Sequence, residues 1–216
     1  ITEKISDTQQ EYISKIITAA TRAGNLTKKL LTFSHRGTKA STTIDCEKII
    51  SDTIEILKRT IDKIVDISFD NKASAVSIIG DDSMLQNAFL NISINAAQAM
   101  PEGGKLTFTI ENIYFDRNYC DSLPFDIQPG EYVEISIRDT GTGMSREGMS
   151  RIFEPFFTTK EQGKGTGLGL SMVYAAVIEH SGAINVYSEE GTGTVFNVYL
   201  PLSKEAGKDN VYAESL

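Results

Sequence analysis

Gly163-Lys164-Gly165-Thr166-Gly167-Leu168-Gly169-Leu170 runs directly into a helix that the apolar pattern predicts over 168–181. Glycine-rich backbone at a helix N-terminus offers unpaired N–H groups and the positive end of the helix dipole to a phosphate. The stretch is not a Walker loop, because no Gly-Lys-Ser/Thr ending is present. Nor is it a dinucleotide fingerprint: residues 156–162 do not read as a clean strand, and no acidic residue follows at the distance a βαβ unit needs.

Immediately upstream lies Arg151-Ile152-Phe153-Glu154-Pro155-Phe156-Phe157-Thr158-Thr159-Lys160, with three aromatics around a proline. This reads as a hydrophobic anchor for a loop of the kind that closes over a ligand. Lys160 or Lys164 could reach a phosphate, although each is also an ordinary solvated lysine. Further back, Ile137-Arg138-Asp139-Thr140-Gly141-Thr142-Gly143-Met144 is a β-run ending in an acid and two spaced glycines. A carboxylate at a strand end can accept the exocyclic amine of adenine, and glycines let backbone approach a flat ring. By itself a strand followed by a glycine turn is unremarkable.

Residues 81–100 read as a helix in which Leu85, Phe89, Ile92 and Ala96 mark the apolar face. Asn91 and Asn95 are four residues apart and share another face. Mid-helix Asn is mildly unfavourable, a cost expected where side-chain carbonyls are needed. Mg²⁺ takes oxygen ligands and keeps waters and phosphates, so one amide oxygen plus a nucleotide is a sensible set. Two solvated Asn on an exposed helix are the plainer reading of this segment alone.

Order and spacing join these signals. Asn91…Asn95, Asp-Thr-Gly-Thr-Gly-Met at 139–144, Phe-Glu-Pro-Phe-Phe at 153–157 and the glycine run at 163–170 resemble the conserved boxes of sensor histidine kinases. Glu190-Gly191-Thr192-Gly193-Thr194-Val195-Phe196 looks like the final glycine box of that family, on the adenine side of its pocket. The likeness runs over 45–202, and residues 11–36 resemble the second helix of the dimerisation and phosphotransfer hairpin.

The resemblance implies an α/β (α+β) fold: a two-layer sandwich of a mixed sheet and helices with an ATP lid, preceded by one long helix. It implies ATP and Mg²⁺ as ligands. Asn95 would hold Mg²⁺ with Asn91 assisting near the phosphates; Asp139 would meet the adenine amine, with Gly141, Gly143 and Met144 beside the ring. Gly165, Thr166, Gly167, Leu168 and Gly169 would form the lid hinge and phosphate cradle, Lys160 would reach the phosphates, and Thr194 would close the adenine side. Asn91 and Lys160 are the catalytic candidates. The implied activity is transfer of the γ-phosphate to a histidine, then relay to a response regulator or receiver domain. The implied setting is cytoplasmic, in a homodimeric parent.

Two positions depart from the family pattern. Many members carry Lys or Arg three residues after the metal-binding Asn; here that position is Gln98, so Lys160 or Lys164 is expected to compensate. The acceptor histidine normally lies in an H-[E/D]-x-x-N-type box on the first hairpin helix. The chain has two histidines, His35 and His180, each at a predicted helix end and neither followed by that box. Both are therefore read as helix-end residues; at His35 a cation suits the dipole. The same fold serves topoisomerase, mismatch-repair and chaperone ATPases, which place a Glu one turn before the metal-binding Asn as a base for water. Asn91 stands there instead, and an amide cannot take a proton at neutral pH. A serine-directed anti-sigma kinase or a binding-only domain is the other alternative; the former usually lacks a helix like 1–36.

The rest of the chain fits a globular protein of 216 residues, with 40% hydrophobic and 23% charged residues. No apolar run approaches the ~20 residues of a membrane span. A net charge of −8 argues against nucleic acid, which calls for a basic face. Cys46 and Cys120 have no metal-type spacing and read as free thiols. Within 1–36, Tyr12, Ile16, Ala19, Ala23, Leu26, Leu30 and Phe33 recur in steps of four and three, a heptad seam on one helix. Such a seam is expected to pack against a second copy or its own ATP-binding domain. Residues 37–44 read as a linker and 203–216 as a polar tail. Between them the pattern predicts a helix at 45–60, strands at 64–69, 76–80, 105–112 and 131–138, and a closing hairpin at 183–188 and 194–200.

Overall fold

Asp45 caps a helix: its side chain accepts the Lys48 backbone N–H at 3.1 Å. Asp81 does the same for Met84 N–H at 2.9 Å. Each cap satisfies an otherwise orphaned donor and contributes about 1 kcal/mol. The computed structural model describes residues 8–10, 12–13, 15–17, 42–123, 125–160 and 165–203. The chain divides into two units, Ile1–Thr38 and Lys39–Leu216.

In the first unit the described residues are helical, and Tyr12, Ile13, Ile16 and Ile17 are exposed. The remainder of the expected seam, from Ala19 to Phe33, lies outside the described residues, as does His35.

The second unit contains, in order, β1 (Thr42–Asp45), α1 (Cys46–Thr60), β2 (Val65–Asn71), β3 (Ser77–Gly80), α2 (Asp82–Gln98), β4 (Gly104–Phe115), α3 (Arg117–Ser122), β5 (Gly130–Asp139), α4 (Arg146–Arg151), α5 (Gly169–Glu179), β6 (Ala183–Glu189) and β7 (Gly193–Pro201). Five strands form one sheet in the order β2-β4-β5-β7-β6. The β2–β4 pair is parallel and the other three pairs are antiparallel. The sheet is mixed, as expected.

Strand alternation selects the face that meets the helices. Leu106, Phe108 and Ile110 on β4, Val133, Ile135 and Ile137 on β5, and Phe196, Val198 and Leu200 on β7 are all buried in one core. Against them lie Ile50, Ile54 and Leu57 of α1, Leu85, Phe89 and Ile92 of α2, and Val173, Ala176 and Val177 of α5. Each large side chain buried this way stabilises the fold by roughly 1.5–3 kcal/mol. Helix α2 packs on both α1 and α5. This puts the Asn91–Asn95 face of α2 beside the start of α5.

Three features differ from the sequence expectation. Residues 42–44, expected in the linker, pair as β1 with β3, from Thr42↔Gly80 to Asp45↔Ser77. The tail begins later than 203, because Leu202 bridges Ile78 and Ser203 N–H donates to Ser77 O at 2.9 Å. The stretch between β4 and β5, expected as a loop, contains α3 capped by Asp116. It covers part of the sheet's second face, where Phe115, Tyr132 and Tyr199 bury with Ile127 and Ala183. Phe125 stacks on Tyr199 with ring centroids 5.7 Å apart. Rings placed two residues apart on open-face positions of neighbouring strands need such a cover to leave water.

Candidate functional site

The candidate site lies along α2, which packs on β5 on one side and on α5 on the other. Asp139 ends β5 and is buried, 4% exposed. Its Oδ1 accepts the Gly141 N–H at 2.8 Å. Burial raises its pKa above the usual carboxylate value, against the lowering effect of the N–H donors of Gly141 and Thr194. A half-paired carboxylate that is costly to keep charged gains from a further donor.

The glycine turn after Asp139 is knitted to two other segments. Thr142 N–H donates to Ala99 O at 3.0 Å, tying it to the end of α2. Gly191 N–H donates to Thr142 O at 2.8 Å, and Met144 N–H donates to Ser188 Oγ at 2.8 Å, tying it to the β6–β7 hairpin. Ser188 Oγ also lies 3.0 Å from Gly193 O and 2.9 Å from Thr194 Oγ1. Gly143 has φ +66, and a Cβ there would lie 2.0 Å from Glu189 O. Only glycine satisfies both conditions. Thr194, buried opposite Asp139 in the β5–β7 register, completes this end.

At the other end, Gly169 opens α5. A Cβ on it would lie 3.6 Å from Asn91 Oδ1 and 3.9 Å from Asn95 Nδ2, so the glycine run meets both amides. The preceding Leu168 is buried and makes no side-chain cap. The first N–H groups of α5 therefore lack a side-chain acceptor from their capping residue, the arrangement that favours an anion. Leu168 N–H itself lies 3.5 Å from Thr166 Oγ1. Gly167, at φ +65, is held by Phe156 N–H donating to its carbonyl at 2.9 Å. Phe156 is itself at φ +69 and exposed. The anchor around it is real: Ile152 is buried, Phe153 packs on Tyr174 at 5.4 Å, and Arg151 lies over Phe157 at 4.5 Å.

Lys160 joins the Asn95 side of this second part. Its Nζ donates to Asn95 Oδ1 at 3.0 Å and to Gln98 Oε1. Desolvation lowers its pKa below the ordinary lysine value. Gly165 sits beside it, with its Cβ position 2.6 Å from Thr158 Oγ1 and 3.4 Å from Lys160 Cδ. Gly163 and Lys164, the other candidate cation, lie outside the described residues.

The described members of the expected set thus fall into two groups, one around Asp139 and the β6–β7 hairpin and one around Asn91, Asn95, Lys160 and the start of α5. Sequence reasoning missed Ser188 and Ala99, which hold the glycine turn through a hydroxyl and a carbonyl. A small polar residue at a strand end before a glycine hairpin was the only available signal for the first, and a backbone carbonyl leaves none for the second.

Residues 80–204 match the family described as Histidine kinase-, DNA gyrase B-, and HSP90-like ATPase. The chain is 37% identical over 201 residues to the sensor kinase CckA of Brucella abortus, covering 92% of this chain and 21% of that protein. It is 37% identical over 160 residues to sporulation kinase E of Bacillus subtilis, covering 74% of this chain and 19% of that protein. Among solved structures, the catalytic domain of histidine kinase ThkA superposes with a TM-score of 0.61 at 28% identity, over 76% of this chain and 97% of that one. The chain belongs to this ATPase family, as a catalytic ATP-binding domain of the sensor histidine kinase type. It spans about a fifth of the length of those two kinases.

Proposed function

We propose that this chain binds Mg·ATP between Asp139 and the Asn91–Asn95 face, and transfers the γ-phosphate to a histidine on a hairpin helix outside this sequence. The observation that carries the reading is the meeting of Asn91, Asn95 and Gly169 at the uncapped start of α5, with the Lys160 ammonium on Asn95 Oδ1. An amide oxygen that already accepts from a cation is chemically suited to a metal ion. Among the described residues no group of three His, Cys, Asp or Glu side chains is placed to hold a metal. Mg²⁺ would therefore draw its ligands from Asn95 Oδ1, the nucleotide and water, and would supply neutralisation of phosphate charge.

The remaining work falls to the chain's own groups. Asp139 accepts the adenine amine and orients the base. The α5 N–H groups and Lys160 hold the phosphates, while Asn91 positions them from the neighbouring helix turn. Phosphoryl transfer depends mainly on such positioning and charge stabilisation. Water activation, by contrast, needs a base, and Asn91 occupies the place one turn before Asn95 where the hydrolases of this fold put a Glu. This favours a kinase over a hydrolase.

Relay to a response regulator or receiver domain belongs to the same reading, as do a homodimeric parent and a cytoplasmic setting. One ThkA structure is a complex with the response regulator protein TrrA, superposing with a TM-score of 0.67 at 24% identity. Among the described residues no helix is long and apolar enough to cross a membrane. The test is incubation of the chain with γ-labelled ATP, Mg²⁺ and a separately supplied hairpin carrying an H-box histidine. Acid-labile, alkali-stable label on the hairpin is expected. Steady release of free phosphate with none on the hairpin would favour the hydrolase.

A further inference from the structure

Helix α2 ends at Gln98 and has no basic residue in its last turn. The C-terminal end of a helix carries negative partial charge and favours a cation. The cation that takes this place comes from 62 residues away in sequence: Lys160 Nζ donates to Gln98 Oε1 and to Asn95 Oδ1. Lysine has donors only, so both amides must present oxygen to it. The backbone at Lys160 is braced in turn, because its N–H donates to Thr158 Oγ1 at 3.2 Å. Gln98 is exposed and caps no backbone group in this arrangement.

From this geometry we propose that Gln98 is a positioning residue that seats Lys160 beside Asn95, so that the phosphate-binding cation of this site is delivered from the segment between α4 and α5 and not from α2 itself. The inference rests on the ATP-site reading above. Its chemistry is an exchange of acceptors. With Asn95 Oδ1 engaged by a metal, the Lys160 ammonium would keep its bond to Gln98 Oε1 and offer its remaining donors to phosphate oxygens. No bond to phosphorus forms or breaks at Lys160. A lysine fixed on α2 would present its charge regardless of how residues 153–160 are placed. A lysine from that segment, seated by a glutamine, makes phosphate recognition depend on that placement. Gln98 is thus a second half of the phosphate contact, not a lost one.

The test is a double-mutant cycle on the whole chain, reading Kd for ATP and for adenosine in Mg²⁺ by calorimetry. Lys160→Ala is expected to weaken ATP by about tenfold or more and to leave adenosine unchanged, since a charged hydrogen bond of the usual strength is lost. Gln98→Ala is expected to weaken ATP by a smaller factor in the wild-type background and to add nothing to Lys160→Ala, because residues acting through one contact are not additive. Gln98→Lys placed in the Lys160→Ala background is expected to restore the preference for ATP over adenosine. Additive losses, or an ATP-to-adenosine ratio unmoved by Lys160→Ala, would overturn the assignment while leaving the site reading intact. Failure of the unmodified chain to bind either ligand would overturn the site reading itself, and this inference with it.

Discussion

His180 Nε2 accepts the backbone N–H of Asp81 at 2.9 Å, joining the end of α5 to the cap of α2. Its Nδ1 lies 2.7 Å from Ala176 O. A carbonyl can only accept and an N–H can only donate, so Nδ1 carries the proton and Nε2 does not. Both ring nitrogens are used, and the residue is 7% exposed. Incubated alone with γ-labelled ATP, this chain is expected to carry no acid-labile, alkali-stable label at His180. Label mapped to that residue would show that α5 and α2 separate during turnover.

The same pair predicts a stability effect. His180→Ala strands the Asp81 N–H and empties the space that His180 Cδ2 occupies beside Gly80. A loss of about 1–3 kcal/mol is expected, read as a lower urea midpoint with an unchanged slope. An unaltered midpoint would mean that water replaces the ring at no cost.

Asn95→Ala is expected to weaken ATP binding in Mg²⁺ and to change it little in EDTA. Equal loss in both conditions would assign Asn95 a structural role. The residue is only half-buried, so thermal stability should scarcely move.

Base choice follows from Asp139. Adenine presents an amine where guanine presents a carbonyl, so ATP should outcompete GTP by at least about tenfold, the cost of an unpaired buried polar contact being on the order of 1–3 kcal/mol. Comparable affinity for the two nucleotides would remove Asp139 from the adenine contact.

Acidity should modulate the same contact. The folded-state pKa of Asp139 is raised by burial. Its proton therefore binds the empty fold more readily than the unfolded chain, and the group's cost to folding is present above that pKa and relieved as pH falls through it. Binding runs the other way, because the adenine amine favours the charged form. Adenosine affinity should be full at neutral pH and fall on acidification, starting at a higher pH than an ordinary carboxylate would allow. Asp139→Asn should flatten that profile. A wild-type profile that stays flat into the ordinary carboxylate range would refute the linkage.

Much of this fold is legible in one dimension because its core elements obey simple periods. Leu85, Phe89, Ile92 and Ala96 of α2 recur at helical spacing and are all buried, and the β4, β5 and β7 core residues alternate without a break. What escaped was stabilised by distant partners. Residues 42–44 have too little apolar pattern to announce a strand, and become one through pairing with 78–80. Helix α3 has no fully buried residue; its half-buried Cys120 packs on the second cluster beside Ile127 and Phe125. At the site, Asn91 and Asn95 are legible because Asn is mildly unfavourable in mid-helix, whereas Asp139 and the glycines are legible only through their order and spacing along the chain. Ser188 violates nothing, and its role emerges only when β6 and the Asp139 turn are brought together.

The end proposed to hold adenine has a consequence for product departure. Three chain segments lock it: the turn at 139–144, the β6–β7 hairpin and the carbonyl of Ala99. ADP carries the same base as ATP, so whatever grip this end exerts is felt equally before and after the γ-phosphate leaves. Such uniform grip captures substrate and retains spent nucleotide to the same degree. Tightening the Asp139 contact would therefore slow the exchange of ADP for ATP without improving the choice between them. On the proposed reading that choice falls to Asn91, Asn95, Lys160 and the start of α5, the groups assigned to the phosphates.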